Sequence, residues 1–218
     1  MAQVAVIGLG RFGFHVARHA FLQGHQVLAI SNDGTSVQAI KDHCHRAVVV
    51  DATDRERLEA LGVAEFDVVV VSLGERIDAS ALIVLHLREM GAKRIIAKAG
   101  TPEHGRLLSL IGAHEIVYPE REVAERLARR LHDRNLTRFI PLGPDHAIEE
   151  IRLPEEFVGR SLAELRMENE YGVRVLALLD STCTKVVIDP DPKAPLEAGG
   201  RLFVLGTNHN LRALPGAG

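Results

Sequence analysis

Three glycines near the start of the chain are spaced for chemistry. Val4-Ala5-Val6-Ile7 reads as a short buried strand, and Gly8, Gly10 and Gly13 follow it as G-x-G-x-x-G, with a helix opening behind them. In such a turn the first glycine permits the tight bend and the second lets a pyrophosphate approach the backbone. The third lets helix and strand pack closely. The helix start offers amides without intrahelical partners and the positive end of the helix dipole, both of which favour an anion. Arg11, beside Phe12 inside the motif, is a candidate phosphate cation, and Lys98 further along is a second. The alternative for either is a surface charge.

The other candidates sit where strands end. A dinucleotide site takes Asp or Glu at the end of its second strand, about 20 residues past the glycines, for the ribose hydroxyls. Here the chain reads Leu28-Ala29-Ile30-Ser31-Asn32-Asp33, so Ser31 holds the acidic place and Asp33 lies two residues on. A neutral Ser31 leaves room for a different ribose or phosphate pattern, and Asp33 serves if the strand ends later. Asp51-Ala52-Thr53 and Ser72-Leu73-Gly74 follow the third and fourth strands, on the rim where open α/β sheets bind ligands. Asp51 either meets the adenine or ribose edge of a nucleotide or only assists the cap of the next helix.

Several other arrangements do not assemble. His43-Cys44-His45 are adjacent and point apart on a helix, and His15 and His19 share a face with no Glu or Cys to complete a metal site. Neither Cys44 nor Cys183 sits in a C-x-x-C, and no nucleophile elbow with a Ser-His-Asp order is present. The second half offers no acid–base pair of the kind a hydride-transfer enzyme needs in its substrate domain. That shortage argues for sensing over catalysis, with an NAD(P)-dependent oxidoreductase as the alternative.

The elements that must position these residues alternate regularly. Strands are expected at Gln3–Ile7, Gln26–Ile30, Ala47–Val50, Asp67–Val71, Arg94–Lys98 and Glu115–Val117. Between them lie helices near Phe12–Gln23, Ser36–Cys44, Asp54–Leu61, Ile77–Met90 and Pro102–Ile111. Runs such as Val68-Val69-Val70-Val71 do not alternate, which fits strands covered on both faces. Thr53 with Glu56 forms a capping-box pattern, and Thr101-Pro102 places a cap before a first-turn proline. Together these predict an α/β fold, a Rossmann-type doubly wound parallel sheet. Ile77–Leu87 is apolar enough to be buried in the core or against another subunit. Glu120–Arg134, with arginines at 121, 126, 129, 130 and 134, is either a solvated helix or one that leaves the sheet to contact a neighbour.

Around Asn135–Asp145, Pro141, Gly143 and Pro144 read as linker or turn. Beyond it a small α+β domain is expected, with strands at Ala147–Leu153, Val173–Leu179, Lys185–Ile188 and Arg201–Leu205. A short helix capped by Ser161 and Glu164 lies among them. The domains are therefore read as 1–135 and 136–218, ending in a frayed Pro-Gly-Ala-Gly tail.

Composition narrows the classes. The 218 residues are 46% hydrophobic and 25% charged with net charge −3, ordinary for a globular chain, and nothing steers it to nucleic acid. No apolar run reaches the ~20 residues of a membrane span. The start runs directly into a strand, so no signal peptide is expected. Two distant cysteines make a disulfide framework unexpected and the cytoplasm the natural compartment.

Taken together, Ile7-Gly8-Leu9-Gly10-Arg11-Phe12-Gly13, Asp51-Ala52-Thr53, Lys98-Ala99 and Tyr118-Pro119-Glu120 are similar in order and spacing to the RCK (TrkA-N) domain. Gly159-Arg160-Ser161-Leu162-Ala163-Glu164-Leu165 and Tyr171-Gly172-Val173-Arg174-Val175-Leu176-Ala177 resemble its companion, the TrkA-C domain. The likeness spans nearly the whole chain and points to the KtrA/TrkA-type regulatory subunits of bacterial potassium uptake. It implies a cytosolic, non-enzymatic gating subunit held at the inner face of the membrane by an integral membrane potassium transporter or channel subunit. It further implies homodimers assembling into a homo-octameric ring, with ATP, ADP or NAD(H) at the first domain. By the same resemblance Arg11 reaches nucleotide phosphate and Glu120 helps hold a divalent cation, Mg or Ca. The second domain would dimerise and, as in some members, bind cyclic di-AMP, although no short motif here matches that role. Ser31 departs from the family, which usually has Asp there. A regulator of a potassium efflux channel or antiporter, built from the same domain, is a further alternative.

Overall fold

β-branched residues dominate six short runs in the first half of the chain, and in the structure each becomes a strand. The computed structural model describes residues 1–74, 76–132, 136–182 and 184–215. Strands β1 (Gln3–Ile7), β2 (Gln26–Ser31), β3 (Arg46–Val49), β4 (Val68–Val71), β5 (Ile95–Lys98) and β6 (Glu115–Val117) form one parallel sheet in the order β3-β2-β1-β4-β5-β6. Helices α1 (Arg11–Leu22), α2 (Gly34–Ile40), α3 (Arg55–Ala60), α4 (Ile77–Glu89) and α5 (Pro102–Ile111) connect them, and α6 (Pro119–His132) follows β6. The strand order reverses direction between β1 and β4, and an open sheet binds ligands at the carboxyl ends beside such a switch point.

The valine runs fail to alternate because both faces of the sheet are covered. Ala5, Ile7, Val69 and Val71 pack with Ile83, Val84 and Leu87 of α4 and Leu108 of α5. Val4, Val6 and Val70 face the other way, toward Ala17 of α1 and Ile40. Cys44 is buried in that second cluster. Each fully buried Leu or Ile stabilises by roughly 1.5–3 kcal/mol.

Two local expectations are corrected. α2 ends at Ile40, and Lys41–His43 tightens into a 3-10 turn, with Cys44 in extended backbone. α3 is capped by Asp54, whose carboxylate accepts the Arg57 N–H, not by Thr53. The Thr53 hydroxyl donates to Asp51 Oδ1 at 2.7 Å instead. Thr101 does cap α5, accepting from His104 N–H, with Pro102 in the first turn.

The chain divides into two compact units, Met1–Arg121 and Glu122–Gly218, so the boundary falls within α6. Arg121 is exposed. The side chains of Arg126, Arg129 and Arg130, and Arg134, Cys183 and residues 216–218 altogether, lie outside the described residues.

The second unit is an antiparallel sheet in the order β10-β9-β11-β8-β7. Its strands are β7 (Leu136–Pro141), β8 (His146–Arg152), β9 (Val173–Leu179), β10 (Val186–Ile188) and β11 (Arg201–Thr207). Short helices α7 (Leu162–Leu165), α8 (Met167–Tyr171) and α9 (Asn208–Arg212) complete it. The stretch read as linker therefore begins as strand β7, paired with β8. Thr137 and Phe139 are half-buried while Arg138 and Ile140 are exposed, an alternation that outweighs the turn signals of Pro141 and Gly143. Ser161 and Glu164 form a complete capping box on α7. Phe157, Leu165, Leu202 and Leu211 fill the core, with Phe157 edge-on to Tyr171 at 5.5 Å between ring centroids. Glu150 on β8 is buried and meets Arg201 Nη1 at 2.5 Å and Arg138 Nε at 3.2 Å.

Among the described residues, no helix is long and apolar enough to cross a membrane.

Candidate functional site

The glycine turn stands at the carboxyl end of β1, beside the switch point. Gly8 has φ +91°, a conformation L side chains rarely adopt, and its N–H donates to the Ile30 carbonyl at 2.8 Å. A Cβ on Gly8 would press into the Ser72 carbonyl, and one on Gly13 would overlap the carbonyl oxygen of Gly8. Gly13 is therefore what lets α1 sit against the turn. Gly10 differs: a Cβ there would meet nothing within 4 Å. The space in front of Gly10 is open, as a close-approaching diphosphate requires.

Gly10 is also the N-cap of α1 and supplies no side-chain bond, whereas α2, α3 and α5 are capped by Asp33, Asp54 and Thr101. The first-turn amides of α1 thus face outward without a capping group. No acidic residue lies in that turn. Arg11 is exposed at the first helical position and Phe12 is half-buried beside it. The local field suits an anion.

A cleft opens where β1, β2 and β3 end. It is small, about 30 Å³, and Gly8, Ser31, Asn32, Asp51, Ala52 and Thr53 are among the residues that line it. Leu73, Arg76 and the α4 residues Ala79 and Ile83 close it. Five of the expected site residues thus come together: Gly8, Ser31, Asp51, Ala52 and Leu73. Gly10, Arg11, Phe12 and Gly13 lie outside this lining, on the turn and helix start. Ser72 is buried behind the turn, its N–H donating to the Ile7 carbonyl at 2.7 Å, and Gly74 turns the following loop at φ +60°.

Asp51 Oδ1 accepts both the hydroxyl and the amide of Thr53. Those bonds hold its carboxyl below the usual range, helped by the positive charges of Arg76 and Arg57. Asp33 is not in the cleft lining. Its carboxylate caps α2, accepting from the Ser36 hydroxyl and from the amides of Ser36 and Thr35, which together lower its pKa.

Lys98 and Glu120 come together as an ion pair, Nζ to Oε1 at 2.5 Å, with the lysine 13% and the glutamate 69% exposed. Hydrogen bonding from Lys98 depresses the Glu120 pKa. Each of these charges is therefore already matched. Among the described residues of this one chain, no group of three or more His, Cys, Asp or Glu could hold a metal ion. His15 and His19 sit 6.4 Å apart between ring centroids, and His45 Nδ1 accepts the Val27 N–H.

Arg76 and Asn32 were not among the residues singled out from sequence. Arg76 stands between Ser72-Leu73-Gly74 and the helix start at Ile77, where no motif marks it.

Comparison with known proteins decides the family. Residues 4–119 match the TrkA-N domain and residues 148–214 the TrkA-C domain. The chain is 34% identical over 205 residues to the Ktr system potassium uptake protein C of Bacillus subtilis, covering 94% of this chain and 92% of that one. The chain belongs to the RCK family. The Ktr system potassium uptake protein A of the same organism is 30% identical over 99% of this RCK chain and 96% of its own length. Among solved structures, the GsuK channel bound to NAD superposes with a TM-score of 0.65 at 20% identity. It covers 98% of this chain, which spans 38% of that channel chain. That likeness concerns the fold.

Proposed function

We propose that this chain is a nucleotide-binding cytosolic regulator of potassium transport that gates a separate membrane protein. The observation that carries the reading is its similarity, at 34% identity over nearly its whole length, to a potassium uptake protein, with both domains in order. The glycine turn supports the nucleotide. Gly10 leaves space for a diphosphate, the uncapped amides of α1 would receive it, and Arg11 stands beside them. The adenosine end would lie along the rim where β2 and β3 end, over the small cleft past Gly8. The proposed site comprises Gly8, Gly10, Arg11, Phe12, Gly13, Ser31, Asp51, Ala52, Leu73 and Gly74, with Ser72 packing behind it. Lys98 and Glu120 form a charge pair at its margin.

The first domain in this reading runs through α6, and the remainder, from residue 136, is the regulatory module. The chain catalyses no reaction. It works by linkage: a nucleotide shifts an assembly between two shapes only as far as it binds them with different affinity. The assembly is formed by copies of this chain, in a ring beneath the membrane partner. The test is calorimetric titration of the full chain with ATP, ADP, NAD and NADH, with and without magnesium. Saturable binding of at least one supports the regulator, and no binding of any overturns the nucleotide reading.

A further inference from the structure

The neutral residue at the end of β2, with Arg76 in the same cleft, goes beyond a generic nucleotide site. A site built for a free ribose 2′-hydroxyl ends its second strand in a carboxylate, which accepts from that hydroxyl and repels a phosphate there. Here Ser31 ends β2, and its Oγ already accepts the Asp33 N–H at 3.1 Å. The Ser31 O–H is left to donate, which suits an acceptor oxygen. Asp33, two residues on, cannot supply the missing acid, because its carboxylate is bound to the α2 amides and the Ser36 hydroxyl. Arg76, from the loop ahead of α4, lines the same cleft as Ser31 and Asn32. Its side chain makes no hydrogen bond or ion pair among the described residues. Among the described residues the one carboxylate in the lining is Asp51, whose Oδ1 is held by Thr53 and whose charge is partly offset by Arg76.

A guanidinium with no hydrogen bond or close ion pair among the described residues, a donating hydroxyl and a carboxamide on one cleft, with Asp33 turned to capping, suit a phosphate dianion. We propose that this cleft selects adenine nucleotides carrying a 2′-phosphate, the class of NADP and NADPH, over their 2′-hydroxyl counterparts. The selection rests on the nucleotide reading above. It assigns Arg76 as the residue that determines specificity and Ser31 as the one that permits it.

The experiment compares 5′-AMP with 2′,5′-ADP, and NAD with NADP, by calorimetry on the full chain. These pairs differ only in the 2′-phosphate. The phosphorylated member should bind at least about tenfold more tightly, the scale of one charge-assisted contact. Arg76→Ala should abolish that difference, with 2′,5′-ADP losing at least about tenfold more affinity than 5′-AMP. Ser31→Asp should weaken 2′,5′-ADP and strengthen 5′-AMP. Thermal melts of both variants establish that they fold, and Arg76 is exposed. Equal affinities within each pair, or tighter 5′-AMP, would overturn the selection and leave the nucleotide reading standing. Loss of all ligands equally in Arg76→Ala would also overturn it. Binding of none of the four by the unmodified chain would remove the nucleotide reading along with it.

Discussion

The three glycines of the turn carry different burdens, and single methyl groups separate them. An added methyl at Gly13 collides with the Gly8 carbonyl, so Gly13→Ala must push α1 off the turn. Overpacking of this kind costs roughly 1–3 kcal/mol. Gly10 has φ −66° and open space at its Cβ position, so alanine fits the backbone and stability should stay within about 0.5 kcal/mol. The same methyl would occupy the space a diphosphate needs. Denaturation of the two variants should therefore show a loss for Gly13→Ala alone, while nucleotide affinity by calorimetry falls for Gly10→Ala. A Gly10→Ala variant that binds nucleotide normally would remove the diphosphate from this turn. The roles of these glycines were legible because their spacing specifies a geometry. Arg76 was not legible, since its place depends on where a loop of no fixed length meets the cleft. Lys98 and Glu120, expected as a phosphate cation and a cation ligand, lie 22 residues apart, and only the β5–β6 neighbourhood makes them a pair.

At the scale of elements, α4 and α5 are joined by a buried polar contact within an apolar interface. Ser80 Oγ donates to the Ile77 carbonyl at 3.0 Å and lies 2.8 Å from His104 Nε2. With its proton committed, Ser80 accepts, so the neutral ring carries its hydrogen on Nε2. Burial pushes the His104 pKa below its ordinary 6.5. The unfolded chain takes up this proton near pH 6.5 while the folded one still resists it. The contribution is thus complete above that pH and is lost as pH falls toward the folded value. Melting temperature should decline from pH 7.5 to 5.5 and decline less in His104→Gln, which keeps a donor for Ser80. The difference should amount to at most about 1.4 kcal/mol per pH unit, the limit for one proton. It must be read against the unmodified chain, because the sequence has 11 histidines. Parallel pH profiles would place the proton cost elsewhere. The elements themselves were largely legible, because a strand buried on both faces cannot alternate and capping residues mark helix starts. β7 was hidden by Pro141, Gly143 and Pro144, of which the first ends the strand and the other two turn the chain after it. The cap of α3 was shifted by one because Thr53 and Asp54 are both good capping residues, and Asp51 claims the first.

At the scale of the whole molecule, the outer surface of α4 and α5 carries apolar side chains that the core does not use. Leu82 and Leu85 on α4 and Leu107 and Leu110 on α5 are 39%, 41%, 40% and 77% exposed, and Ile77 is 46% exposed. The two helices pack against each other through Ser80 and His104, so these side chains belong to one layer. An exposed apolar layer of this kind marks an association surface, and the partner proposed for it is a second copy of this chain. The sequence carried the hint in the nearly unpolar run Ile77–Leu87, which fits either core or interface. The structure divides that run, placing Ile83, Val84 and Leu87 in the core and leaving Leu82 and Leu85 outside. Leu110→Glu should then lower the molar mass measured by light scattering, because a carboxylate would be desolvated at each contact. Its melting temperature at low concentration should hold, since Leu110 contributes little to its own fold. Leu82→Glu, on the neighbouring helix, should act in the same direction. If both variants kept the mass of the unmodified chain, copies would have to meet through another surface. The exposed Val123 and Leu127 of α6 are then the next apolar pair available, one helical turn apart.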